Sequence, residues 1–164
     1  PRRFGSVLWT TAPILTHPLL VDLGLEPLET EFTGNYLYRG AQKRQVAVKN
    51  YIMNSHVVVG VGNIYANEAL FLAGIHPAQA AGDISLKRYQ NLAKNIKQVL
   101  IAAIEMGGTT LHDFSDSAGQ PGNFRQALQV YGRAGRACVR CGQTVQVQKI
   151  GQRASYFCPK CQCR

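Results

Sequence analysis

Acidic side chains are scarce in this sequence. The 164 residues include nine Asp+Glu against eighteen Lys+Arg, a formal charge of +9, and no acidic residue follows Asp116. That balance favours an acidic partner, nucleic acid first and an anionic membrane surface second. No apolar run is long enough to span a bilayer as a helix, and the opening Pro1-Arg2-Arg3-Phe4-Gly5 is no signal peptide. A membrane protein and a secreted precursor are therefore both poor fits. Charged residues make up only 16% and hydrophobic residues 46%, which excludes a disordered chain and leaves enough for a core. Nucleotide-binding signatures are missing too: there is no Gly-x-Gly-x-x-Gly after a strand and no P-loop lysine. His17, His56, His76 and His112 are scattered without ligand spacing and read as turn or surface residues. There is no internal repeat and no initiator Met, so the chain reads as a processed product or a fragment.

The charge that is present is uneven. Residues 1–110 carry a net +3 and residues 111–164 a net +6, and the more basic part holds all five cysteines. Hydrophobic periodicity gives the organisation. Arg3 to Thr11 reads as a strand, and His17-Pro18 with Gly24 to Pro27 marks a linker near residues 22–30. An amphipathic helix with a basic outer face is expected from Ala41 to Asn54, and a second from Asn63 to Leu72, stopped by Gly74 and Pro77. The clearest helix runs from Ser85 to Met106, with Leu86, Tyr89, Leu92, Ile96, Val99, Leu100 and Ala103 at three- and four-residue steps. Residues 115–123 read as a loop, Phe124 to Tyr131 as a short helix, and Thr144–Ile150 with Arg153–Cys158 as a hairpin about Gly151-Gln152.

The most specific pattern is Cys138-x-x-Cys141 followed by Cys158-x-x-Cys161. Two such knuckles on either side of a hairpin can bring four thiolates to one tetrahedral Zn2+ site, closed and structural rather than catalytic. Two disulfides or four unrelated thiols are the alternatives. The doubled spacing, basic surroundings and lack of a secretory signal favour zinc. Cys163 reads as a bystander. A ribbon this small folds on its metal, and its task is then to hold basic residues such as Lys149 and Arg153 in place.

A weaker pattern is Gly60-x-Gly62-Asn63 at the start of a helix. The free N–H groups of a helix N-terminus bind phosphate, and glycine lets it approach. A tight turn between packed helices explains the glycines equally well. Glu68, on the helix that follows, reads as a buried partner for a basic group rather than a general acid.

The run Val57 to Leu70 (VVVGVGNIYANEAL), the stretch Gly74-Ile75-His76-Pro77 and the ending from Tyr131 to Cys161 resemble the bacterial formamidopyrimidine-DNA glycosylases, as do the opening residues. The resemblance covers essentially the whole chain. It implies a mainly α fold: a helix-two-turn-helix domain at 28–125 and a zinc finger at 126–164. Before them, residues 1–27 would be a remnant of a β-sandwich domain with its linker. It implies base-excision repair of oxidised purines, 8-oxoguanine and formamidopyrimidines, by a glycosylase with AP-lyase activity. The partner would be double-stranded DNA containing oxidised bases or abasic sites, bound by a cytoplasmic monomer. Arg2 and Phe4 would face the orphaned base and wedge beside it. Lys49, Asn63 and Tyr65 would grip the backbone, Tyr131 and Arg153 would hold flanking phosphates, and a loop including Ser115, Gly119 and Gly122 would cover the flipped base.

One departure bears on mechanism. The family's nucleophile is an N-terminal proline followed by a catalytic Glu, whereas Pro1 here precedes Arg2 within the wedge motif. Pro1 therefore reads as an internal residue, no catalytic residue is expected in this chain, and the chain alone is expected to bind DNA without excising a base. The alternatives are an endonuclease VIII-like fragment acting on oxidised pyrimidines and a free-standing zinc-ribbon binder. The long loop argues against the first, and the loop with the wedge motif against the second.

Overall fold

The computed structural model describes residues 9–108 and 124–163. Four helices make the larger body: α1 (Gly34–Ala41), α2 (Val48–Ile52), α3 (Asn63–Ala73) and α4 (Leu86–Glu105). An antiparallel hairpin, β1 (Gln146–Ile150) with β2 (Arg153–Phe157), makes the smaller one.

Helix α4 follows its sequence pattern. Ser85 caps it by accepting from the Arg88 N–H, and Tyr89, Leu92, Ile96, Val99, Leu100 and Ala103 form its buried face. Tyr89 is the centre of the helical core. Its ring meets Tyr38 and Tyr51 edge-on at 6.3 Å, and its hydroxyl donates to the Ala81 carbonyl. Burial pushes the Tyr89 pKa well above its ordinary value, so the neutral donor is the form that the core holds. Helix α1 crosses α4 closely enough that a Cβ on Gly34 would lie 2.3 Å from Gln90 Cα.

Helix α3 is buried on two sides. Ala66, Ala69 and Leu70 join the helical core, whereas Phe71 joins a separate core with Val130, Cys138, Val145 and Cys158. A helix with this little amphipathic contrast belongs in the middle of a molecule rather than on its rim. Gly74 ends it in the left-handed region at φ 69°.

Several sequence expectations need correction. The helix expected from Ala41 to Asn54 is broken. Its apolar spacing belongs to the end of α1, a loop and the short α2. The loop pairs with a neighbouring segment: Ala47 bridges Ala80, the Val48 N–H donates to Gln79, and the Ala81 N–H donates to Val46. Lys43 lies at φ 62°, outside helical geometry. Helix α1, capped by the Thr33 side chain, has no counterpart among the expected elements. The helix expected over Phe124 to Tyr131 is a single 3-10 turn, Phe124–Ala127. Of the strand expected over Arg3 to Thr11, residues 9–11 are not extended in a sheet, and the rest lies outside the described residues. The linker docks early: the Gly24 N–H donates to Ser55, and Leu25 bridges Val58.

Gly34→Ala should destabilise the helical body by about 1–3 kcal/mol, the usual cost of overpacking at a backbone crossing. Chemical denaturation followed by circular dichroism would test this, and an unchanged midpoint would refute the close crossing.

Candidate metal centre and nucleic-acid interface

The hairpin turns as its residues require. Gly151 and Gln152 both take positive φ, 54° and 66°, the geometry of a two-residue turn that matches strand twist. The tip packs against α2, since a Cβ on Gly151 would fall 2.5 Å from Asn50 Nδ2. The two knuckles fold back at the base. In the first, the Cys138 N–H donates to the Gln143 carbonyl and the Gly142 N–H to the Cys138 carbonyl. In the second, the Gln162 N–H donates to the Cys158 carbonyl while the Gln162 side-chain oxygen accepts from the Cys158 N–H.

These turns bring the sulfurs of Cys138, Cys141, Cys158 and Cys161 within 4.8 Å of one another. Sγ of Cys138 is 3.9 Å from that of Cys161, and Sγ of Cys141 is 3.5 Å from that of Cys158. A tetrahedron with Zn–S near 2.3 Å requires sulfurs about 3.8 Å apart. The donor set therefore fits one structural zinc held by four thiolates. The Gln143 backbone N–H lowers the Cys141 pKa to about 7, whereas burial raises those of Cys158 and Cys161. A bound dication would supply the charge that keeps all four deprotonated. Cys163 is exposed, lies outside the cluster and donates to the Lys160 carbonyl.

Polar side chains tie this finger to the helices. The Glu68 carboxylate, buried in α3, accepts from the backbone N–H groups of Gln129, Val130 and Tyr131 at 2.9, 3.0 and 2.8 Å. Glu68 is buried as its sequence position suggests, but its partners are main-chain amides rather than the basic group expected. Asn67 Oδ1 accepts from the Tyr156 N–H in β2. Arg140 stacks on Phe71 at 4.6 Å and donates to the carbonyls of Phe71 and Leu72, at the negative end of α3. Arg88 reaches from α4 to the Gly74 and Cys163 carbonyls. None of these polar ties has a spacing pattern that would have revealed it.

The residues expected to meet DNA fall into distinct settings. Asn63 opens α3 after Gly62, and no side chain caps that end. Its Oδ1 is buried without a hydrogen-bond partner among the described residues. Among those residues, nothing lies within 4 Å of a Cβ built on Gly60 or Gly62, and Gly62 has an ordinary φ of −81°. Internal packing thus gives no reason for glycine at 62. Tyr65 packs edge-on against Phe124 at 5.8 Å. Tyr131 packs against Tyr156 at 5.0 Å. Arg153 starts β2 and is exposed.

Lys49 is placed differently from the expectation. It is wholly buried, and its ammonium donates to the Ala154 carbonyl at 2.9 Å and to Ser155 Oγ at 2.6 Å. In this structure the side chain grips β2 rather than solvent. Burial, with the Arg153 charge as a second cause, lowers its pKa from 10.5 to about 8. Arg2, Phe4, Ser115, Gly119 and Gly122 lie outside the described residues.

Comparison with known proteins agrees with this geometry. Residues 23–115 match the family profile described as the formamidopyrimidine-DNA glycosylase H2TH domain, and residues 135–163 match the zinc finger found in FPG and IleRS. The chain is 61% identical over 164 residues to a formamidopyrimidine-DNA glycosylase of Magnetococcus marinus, covering 99% of this chain and 60% of that protein. Among solved structures it resembles the MutM (Fpg) protein of Thermus thermophilus, with a TM-score of 0.83 and 37% identity over 88% of this chain and 55% of that one. A Lactococcus lactis FPG mutant bound to Fapy-dG-containing DNA gives a TM-score of 0.82 and 33% identity, over 89% of this chain and 54% of that one. The chain thus spans about 60% of the length of the curated relative.

Two measurements test the site. Cys141→Ser, or a strong chelator, should remove the metal and unfold the finger while the helical body stays folded, because the two have separate cores. Metal analysis with circular dichroism reads both, and an unchanged metal content would refute the four-thiolate site. The second concerns Lys49, whose folded pKa lies below its unfolded one. The unfolded chain binds the extra proton between those values, so this residue's penalty is full below about pH 8 and relieved toward 10.5. Lys49→Met should abolish that part of the stability gain between about pH 8 and 10.5. Identical pH profiles for the two proteins would count against the buried ammonium.

Proposed function

The chain belongs to the formamidopyrimidine-DNA glycosylase family, and we propose that it is the DNA-gripping part of a base-excision glycosylase with AP-lyase activity that removes oxidised purines, 8-oxoguanine and formamidopyrimidines. Its partner is double-stranded DNA carrying such a base or an abasic site. It acts as a monomer in the bacterial cytoplasm, on the nucleoid.

One observation carries this reading. The uncapped N-terminus of α3 and the metal-clamped hairpin bearing Arg153 are joined by buried polar contacts. The first offers backbone N–H groups and a positive dipole end, and the open space before Gly60 and Gly62 lets a phosphate reach them. The second supplies a guanidinium, with Tyr131 nearby through its contact with Tyr156. Asn63 and Tyr65 extend the first grip. Lys49 serves from beneath, by holding the strand on which Arg153 stands. The Lactococcus lactis structures with Fapy-dG DNA and with oxidised-pyrimidine DNA support an oxidised base as the target.

The remaining roles rest on motif order. Arg2 and Phe4 fill the gap left by a flipped nucleotide, by pairing and stacking. Ser115, Gly119 and Gly122 belong to the segment that covers the extruded base. Pro1 is not the nucleophile, because Arg2 and not an acid follows it. This portion therefore binds without excising.

Binding of a duplex with an abasic-site analogue, followed by fluorescence anisotropy at several salt concentrations, tests the reading. Arg153→Ala should weaken binding and lower the salt slope by about one phosphate's share. Gly62→Ala should weaken binding by more than the small loss of stability expected at a helix N-cap explains. An unchanged slope in the first, or unchanged affinity in the second, would remove that grip from the proposal. Borohydride should trap no covalent complex between this chain and 8-oxoguanine DNA; trapping through Pro1 would overturn the assignment of the proline.

A further inference from the structure

Asn67 sits in the middle of α3 and is wholly buried. Asparagine is a poor choice for a helix interior, where it competes with the backbone for hydrogen bonds. Here both ends of the amide are engaged. Nδ2 donates to the Asn63 carbonyl at 2.6 Å, one turn toward the N-terminus, and Oδ1 accepts from the Tyr156 N–H at 2.6 Å. Tyr156 belongs to β2, an edge strand whose only neighbour among the described residues is β1. Side chains from the helices complete that outer edge: the Ala154 carbonyl is taken by Lys49, and the Tyr156 N–H by Asn67. One amide thus touches the first residue of α3 and the strand that begins with Arg153.

We infer that Asn67 is a positioning residue for DNA binding, which fixes the distance and angle between the open N-terminal turn of α3 and the Arg153 guanidinium. The inference rests on the DNA-gripping reading above. Phosphates along a strand come at set intervals, so two grips cooperate only when their separation is held. The zinc ligands pack against Phe71 near the C-terminal end of α3, whereas the Asn67 amide contacts the helix's first residue. Asn67 thus ties the finger to that first turn without touching DNA itself.

The test compares Asn67→Ala and Asn67→Asp in the full chain with zinc bound. Alanine removes both bonds, whereas aspartate keeps an acceptor for the Tyr156 N–H and loses the donor to Asn63. Asn67→Ala should retain one zinc per chain and bind an abasic-analogue duplex about fivefold more weakly, the worth of one net hydrogen bond. Asn67→Asp should bind no better than Asn67→Ala, because its buried carboxylate would face the Asn63 carbonyl with no proton to donate. In a double-mutant cycle, Asn67→Ala should have little further effect once Arg153 is alanine. Additive effects, or loss of zinc in step with affinity, would overturn the inference. Residual dipolar couplings without DNA give a reading independent of binding: Asn67→Ala should turn the hairpin relative to α3, and an unchanged orientation would refute positioning. Failure of the unsubstituted chain to bind DNA would instead strike the DNA-gripping reading, and the couplings would still decide whether Asn67 sets the hairpin's angle.

Discussion

Helix α3, together with Lys49 of α2 and Arg88 of α4, carries the polar contacts through which the zinc finger hangs on the helical body. Asn67 meets β2, Glu68 collects three backbone N–H groups at the finger's entry, and the finger's Arg140 closes the carbonyl end. Each contact satisfies a backbone group at the joint, and for the fully buried Val130 N–H an unpaired state would cost about 1–3 kcal/mol. Apolar packing joins the two as well, with Phe71 of α3 entering the finger's core. Polar contacts of this kind are directional, whereas apolar packing tolerates rotation. A joint that includes them sets an angle, as the two phosphate grips proposed above require.

The charge distribution follows the same logic. No acidic residue lies within the finger itself, and Glu68, the acid that reaches it, is occupied by main-chain amides. The positive charges of Arg153 and its neighbours are therefore left to act outward. Arg140 and Lys49 are turned inward instead: Arg140 onto the carbonyl end of α3, and the Lys49 ammonium beneath the strand that carries Arg153, where burial together with the like charge of Arg153 depresses its proton affinity. Under the DNA-gripping reading proposed above, a basic residue can serve from beneath the surface without facing the DNA.

What the sequence reveals depends on the range of the interaction. Helix α4 is legible because its core face repeats along one helix and Ser85 marks its start. The metal centre is legible because ligand spacing is a local property, and the hairpin because Gly151-Gln152 demands a particular turn. The segment from Ala41 to Asn54 is misread for a physical reason. Its apolar residues have helical spacing, but backbone pairing with residues 79–82 pulls the chain out of the helix. Tertiary pairing of this kind has no local signature, and neither do the partners of Lys49, Asn67 and Glu68, each far away in sequence.

The glycines show how structure resolves what composition leaves open. At Gly34 the reason is internal: any side chain would enter α4's backbone. At Gly151 it is double, a turn with positive φ and the nearby Asn50 side chain. Gly62 has neither reason, for its φ is ordinary and no described residue fills the space before it. Of the two explanations that the Gly60-x-Gly62-Asn63 motif admits, a tight internal turn accounts for Gly60, whose φ is 76°, but leaves Gly62 unexplained. Gly62 is the N-cap of α3, a position where glycine is itself favoured over alanine, and under the reading proposed above its bare backbone also leaves room for a phosphate. A bare backbone there admits a ligand to the first-turn N–H groups, and the helix dipole selects an anion.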